Sequence, residues 1–324
     1  MSFMIPENIS IETFRGCNAR CIMCPVEQWA PPYGPMKDEV FSCLVRQMSE
    51  FKDKLKSVAL FGNGEPLLDK KLEKRIVECK QAGIANVGFT SNGSLLTETR
   101  AAGIIEALPD WIVISFDSLD KEAYENIRIR LKFEQVLAGI NNLIAARNRR
   151  KAKTHISLRF IEQEKNKGQF EGYVSFWAPK LDADLDELHY GKEHNWASGP
   201  EAFYGNTPCG FVFHKSYVLR DGSVVLCCTD SNAEYNFGNV METPLLEIMN
   251  KPRWQAIRQL HASGKRSSMK LCSACNIPEL NNEGVLSMKM TPSGTVFSSD
   301  TLTPFDNEQA KSGAKQPFTI LHQP

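Results

Sequence analysis

Short apolar, β-branched runs alternate with longer segments whose apolar positions recur at helical spacing through the first 190 or so residues. The runs at 9–14, 57–61, 86–90, 111–116, 155–160 and 187–190 read as strands. The segments at 37–51, 70–82, 97–108, 133–149 and 169–177 read as helices. Such alternation predicts a parallel sheet with helical crossovers. Six strand–helix units are too few for a closed eight-fold barrel, so the expected fold is α/β, a partial (β/α)6 TIM-like barrel. In such sheets the chemistry sits at the C-terminal ends of the strands. Glycine-rich or polar signals fall there, at 16–24, 62–66, 91–93 and 115–117.

The pattern changes near residue 191, where Gly, Asn, Pro and aromatic residues thicken. Apolar runs at 217–219 and 224–226 flank Asp221 and Gly222, a hairpin signal. A short helix is expected from about Thr243, with Pro244 in its first turn. The expected organisation is a barrel over 1–191, a small second domain over 192–280 and an irregular tail over 281–324, where Ser, Thr, Gly, Pro and Asn accumulate.

Charge narrows the partners. The 324 residues carry 38 Lys plus Arg against 38 Asp plus Glu. A net charge of zero argues against a surface built for nucleic-acid backbone. No apolar run approaches the ~18 residues of a membrane span, and the first residues lack a basic stretch followed by an apolar one. The expectation is a cytoplasmic protein with no membrane partner. A chain of this length buries roughly 75% of its unfolded surface and needs no disulfides to hold a core.

The ten cysteines therefore need another explanation. Cys17, Cys21 and Cys24 form C-x3-C-x2-C directly after the first strand. Three thiolates on one loop can hold three irons of a 4Fe–4S cluster and leave the fourth open to a chelating ligand. Zinc needs four closed ligands, and no fourth lies nearby in sequence. Cys209, Cys227, Cys272 and Cys275 form a second set, with gaps of 17, 44 and 2 residues. Four thiolates so spaced can close around zinc or around a 4Fe–4S cluster. Cys43 and Cys79 fall in helical patterns and read as core. Cys228, beside a ligand, reads as a packed thiol; an extra ligand or a hydrogen-atom donor are its other possible roles.

The placement and spacing of the first three cysteines resemble the signature of the radical S-adenosylmethionine (SAM) superfamily. Gly62, Asn63, Gly64, Glu65 and Pro66 end the second strand and resemble that family's Gly-Gly-Glu-Pro motif. The resemblance implies that these backbone groups and Glu65 hold the SAM amino group. Ser91, Asn92 and Gly93 end the third strand, where the family places Thr-Asn-Gly near the ribose. Ser115 and Asp117 end the fourth, and Arg128 follows. The serine and the arginine are implied to bind the SAM carboxylate, for which a hydroxyl and a guanidinium are suitable partners. The second cysteine set resembles the family's SPASM/twitch extension. It matches the one-cluster form, because no cysteine follows Cys275.

The implied cofactors are two 4Fe–4S clusters and SAM. The implied electron donor is of flavodoxin or ferredoxin type. Family members cleave SAM reductively, and the resulting radical takes a hydrogen from the substrate. An auxiliary cluster can then oxidise the substrate radical, as in aminocyclitol dehydrogenases. The expected activity is dehydrogenation of a sugar, cyclitol or other small molecule. Peptide cross-linking or epimerisation is the alternative, although a leader-binding region of ~80 residues cannot precede Cys17. A non-catalytic iron–sulfur or zinc protein is the remote third, against which the SAM motifs speak. For substrate contact the loop 187–196 stands out, with His194 the first candidate proton acceptor because imidazole titrates near neutrality. Arg159 on a strand and Asp230 close to Cys227 are further candidates.

Overall fold

The computed structural model describes residues 3–197 and 205–278, and the backbone of Ser287–Met290 and Val296–Ser298. Six parallel strands form the centre of one sheet: β1 (Asn8–Ile11), β2 (Ser57–Ala59), β3 (Val87–Ser91), β4 (Trp111–Ser115), β5 (His155–Glu162) and β6 (Glu187–Lys192). The crossovers contain α1 (Asp38–Ser49), α2 (Leu72–Gln81), α3 (Glu98–Glu106), α4 (Lys121–Ile127), α5 (Phe133–Arg150) and α6 (Phe170–Trp177). The α/β expectation of a partial barrel therefore holds, with each strand and long helix within a few residues of its expected place.

The helices form because each presents one apolar stripe to the sheet. On α1, Val40, Phe41, Leu44, Val45 and Met48 are all buried. The strands alternate between two cores. On β4, Ile112 and Ile114 join the large cluster beneath the helices, while Trp111 and Val113 pack with Ala59 and Phe61 in a separate cluster. On β5, His155, Ser157 and Arg159 alternate with Ile156, Leu158 and Phe160, and all six are buried. Ser157 and Arg159 pair in register with Glu187 and His189 of the next strand, so this wall of the barrel is polar.

The second region continues the same sheet. β7 (Lys215–Val218) lies parallel to β1, pairing Ser10 with Tyr217. β8 (Ser223–Val225) and β9 (Asn236–Asn239) follow antiparallel, which is the expected hairpin and one strand more. It also contains α7 (Phe211–His214), α8 (Leu245–Met249), α9 (Pro252–Ala262) and α10 (Lys270–Ser273). Pro244 stands just before α8, as its cap, rather than inside its first turn. Within the segment expected to be irregular, Ser287–Met290 pairs antiparallel with β6, and Val296–Ser298 pairs with it in turn. Among the described residues no helix is long and apolar enough to cross a membrane.

Candidate active site

The loop carrying Cys17, Cys21 and Cys24 is fixed by three contacts with strand ends. Gly16, at φ 111°, bridges in parallel to Gly64, and the Glu65 N–H donates to the Gly16 carbonyl at 2.9 Å. A Cβ on Gly64 would lie 1.9 Å from the Phe14 carbonyl oxygen, so only glycine permits this approach. Arg20–Cys21 forms a short antiparallel ladder with Arg128–Ile129. Donors point at the sulfurs: the Ala19 N–H reaches Cys17 Sγ at 3.4 Å, and Arg128 Nη1 reaches Cys21 Sγ at 3.4 Å. Such hydrogen bonds are among the means by which a protein tunes an iron–sulfur cluster.

Behind the loop, Glu65 is 2% exposed and joins two strand ends. Its Oε1 accepts from the Leu67 N–H and Ser91 Oγ, and its Oε2 from the Asn92 N–H. Burial raises the Glu65 pKa despite those donors. Asn92 Nδ2 donates to Asn18 Oδ1 at 2.9 Å, which ties the turn at Ser91–Asn92 to the cysteine loop. Asp117 is fully buried; one oxygen pairs with Arg128 Nε and the other accepts from the Ile161 N–H. Asp117 thus holds Arg128 in place from behind, and Pro66 only opens the turn capped by Glu65.

One open cleft, about 1440 Å3 of empty space with solvent at its mouth included, brings most of these residues together. It is lined by Cys17, Cys21 and Cys24, by Gly62, Gly64 and Glu65, and by Ser91, Asn92, Ser115 and Arg128. Arg159 and His194 line it as well. Arg159 donates from Nε to His189 Nδ1 at 3.2 Å, and its pKa falls to about 10 through burial. His194 falls to about 4, again through burial, with Arg159 adding to the effect. Both effects disfavour its imidazolium form, and its Nδ1 accepts the Trp196 N–H at 3.3 Å. Asp230 is placed differently. It accepts backbone N–H groups of Leu226, Glu234 and Tyr235, does not line the cleft, and braces the turn after Cys227.

Sequence reasoning missed Lys215 and Tyr217, which project into the cleft from β7 together with Cys228 beyond it. Their alternation along a strand was legible. That this strand lies against β1 was not, because the partners are 207 residues apart.

The second cysteine set gathers at the edge of this wall. Cys209 and Cys275 pack with Cys228 around Phe211 and Ile277, and Cys227 packs with Cys228 beside Tyr217. Arg266 is buried and donates from Nη1 to the Cys275 carbonyl at 3.2 Å. Asn195 donates to the Ala274 carbonyl at 2.6 Å, so the loop bearing His194 is fastened to the Cys272–Cys275 turn. The donor chemistry of both sets fits a bound cationic group. Burial, with Glu65 next, pushes the Cys17 thiol to about 12, and burial pushes Cys24 and Cys209 to about 11. Thiols so crowded stay protonated alone, and a metal bound to them offsets that cost. Among the described residues no three His, Cys, Asp or Glu side chains converge as ligands of a single ion. Sets of three and four thiols are the donors that an iron–sulfur cluster takes.

The fold and the cysteine loop together define a class. Residues 11–161 match the profile of the Radical SAM superfamily, and residues 209–276 match that of SPASM, an iron–sulfur cluster-binding domain. The chain thus carries a radical SAM domain followed by a SPASM domain, as the motifs led one to expect. Among curated proteins it is 29% identical over 197 residues to a probable GTP 3',8-cyclase of Sulfurisphaera tokodaii, covering 61% of this chain and 59% of that one. It is also 34% identical over 128 residues to an S-adenosylmethionine-dependent nucleotide dehydratase of Lacinutrix mariniflava, covering 38% and 25%. The chain thus spans under two thirds of the length of either relative. Among solved structures, BtrN (2-deoxy-scyllo-inosamine dehydrogenase) in complex with AdoMet and 2-DOIA aligns at TM-score 0.58 and 19% identity, over 85% of this chain and 94% of that one. Native anSMEcpe with bound AdoMet aligns at 0.61 and 16%, over 84% and 89%. Likeness at such identities shows the fold.

Proposed function

We propose that this protein is a radical SAM oxidoreductase that dehydrogenates a small molecule such as a sugar or cyclitol. The observation that carries the reading is the single cleft. On one side it has the three loop cysteines and the strand-end motif residues, and on the other a wall beside four further cysteines. The three-cysteine site would hold a 4Fe–4S cluster, which supplies the electron that splits SAM into methionine and a 5'-deoxyadenosyl radical. The four-cysteine site would hold a second, with flavodoxin or ferredoxin as the external electron carrier.

The chain's own residues would do the rest. Ser115 and Arg128 hold a carboxylate, Arg128 being oriented by Asp117. The glycine turn at 62–64 brings bare backbone to the ligand. Trp29, Phe61 and Trp196 line the cleft and exclude water from a radical that would attack any nearby hydrogen. His194 would take the substrate proton and, because burial and Arg159 both disfavour its cation, pass it on to water at the cleft mouth.

One observation favours a second reading. Cys228 lines the cleft, and a thiol there could return a hydrogen atom to the substrate radical, as an epimerisation of a peptide requires. Product mass in deuterated water separates the two. Reconstituted enzyme with SAM and dithionite is given a panel of cyclitols, amino sugars, short peptides and GTP, the last because of the cyclase similarity. A product lighter by two mass units supports dehydrogenation. A product carrying one solvent deuterium in an otherwise unchanged substrate supports the thiol reading and overturns the first.

A further inference from the structure

Two loops that belong to different cysteine sites are fastened to each other by one buried cation. Arg15, two residues before Cys17, is 5% exposed. Its Nη1 donates to Glu12 Oε1 at 3.0 Å and its Nε to the Ala30 carbonyl at 2.7 Å. Its Nη2 crosses to the other region, donating to the Ser231 carbonyl at 2.8 Å and to Asn232 Oδ1 at 3.1 Å. Asn232 completes the junction: its Oδ1 accepts the Ala30 N–H at 2.8 Å, and its Nδ2 donates to the Gln28 carbonyl at 2.9 Å. Glu12 is held in turn by the Arg220 N–H at 2.9 Å, and Arg220 Nη1 reaches the Pro32 carbonyl at 2.7 Å. Arg15 donates to four acceptors here, which is how a planar guanidinium offsets the cost of burial.

The location of the set gives it a consequence. Gln28 and Ala30 flank Trp29, which lines the cleft just after Cys24. Ser231 and Asn232 follow Cys227 and Cys228, the latter also lining the cleft. A shift of the 227–232 turn must therefore move the 28–30 turn or break several charge-assisted hydrogen bonds.

We propose that Arg15, with Asn232, is a positioning device that couples the auxiliary cysteine site to SAM binding by locking the turn after Cys227 onto the turn after Cys24. This rests on the two-site reading above. Losing the auxiliary site should then loosen the 28–30 turn and lower SAM affinity, and only while the junction is intact. Coupling between sites commonly amounts to ~5-fold or more in affinity.

The test is a linkage cycle on the anaerobically reconstituted full chain. SAM affinity is measured by the change in the cluster's EPR signal in four proteins: wild type, Cys272→Ala/Cys275→Ala, Asn232→Ala, and the three changes together. Wild type is first assayed for 5'-deoxyadenosine, so a failure of the functional reading is seen separately. The expected result is a SAM Kd raised ~5-fold or more by the cysteine changes in wild type and less than ~2-fold in the Asn232→Ala background. Arg15→Lys, which keeps the charge but cannot reach all four acceptors, should behave like Asn232→Ala. An equal effect of the cysteine changes in both backgrounds, or none in wild type, overturns the proposal. A merely structural Asn232 would lower SAM affinity by the same factor whether or not the auxiliary cysteines were present.

Discussion

Arg128 shows how much one side chain has to do in this site. It pairs with Asp117, touches Cys21 Sγ and lines the cleft. Arg130, two residues on, is exposed. Replacing Arg128 with Ala should weaken SAM binding by ~1.5–3 kcal/mol, the worth of a hydrogen bond to a charged group, whereas Arg130→Ala should cost ~0.5 kcal/mol or less. Equilibrium binding of SAM to the two variants checks this, and equal losses would mean that the carboxylate sits elsewhere. Gly64 is the counterpart on the backbone. With a Cβ 1.9 Å from a carbonyl oxygen, Gly64→Ala must push the cysteine loop off the strand end. Iron per chain should drop by about four, the content of one cluster, while the other site stays filled. At this scale the sequence was informative where a residue type is dictated by chemistry: the three loop cysteines, Gly62, Gly64 and Arg128 all line the cleft. Asp230, a carboxylate near a cysteine, accepts backbone N–H groups and does not line the cleft.

At the scale of elements, hydrophobic period was enough to place the six central strands and the long helices between them, since each buries one face. α9 went unread although its signals were present: Pro252 at the start and Trp254, Ile257, Arg258 and His261 buried on one face. β7 was readable as a strand, but its pairing with β1 was not, because register between distant segments is set by the assembled sheet. The same limit hid the Glu12–Arg15 junction. Burial pushes the Glu12 pKa up to about 7 from 4.5, the nearby Asp221 adding slightly, against the pull of the Arg220 N–H and Arg15. A carboxyl raised in the folded state keeps a proton that the unfolded chain gives up. Its contribution is therefore fully present below pH 4.5 and is lost as pH rises through about 7. Glu12→Gln cannot lose that proton. Relative to wild type it should gain up to ~3 kcal/mol between these limits. Unfolding midpoints of both proteins from pH 4 to 8 check the sign, and a constant difference would contradict it.

At the scale of the whole molecule, one sheet carries both cysteine sites, which makes a functional unit of two regions that composition alone would divide near residue 191. If both sets hold clusters, iron and sulfide should each approach about eight per chain after anaerobic reconstitution. Four irons with one zinc would leave the first site intact and remove the proposed electron acceptor. The most direct test of the account is SAM cleavage itself. Under dithionite, the reconstituted wild-type protein should turn SAM into methionine and 5'-deoxyadenosine. The Cys17→Ala/Cys21→Ala/Cys24→Ala variant should make none while retaining the iron of its second site. Formation of 5'-deoxyadenosine by that variant, or its absence from a wild-type protein loaded with iron at both sites, would contradict the assignment of the cleft.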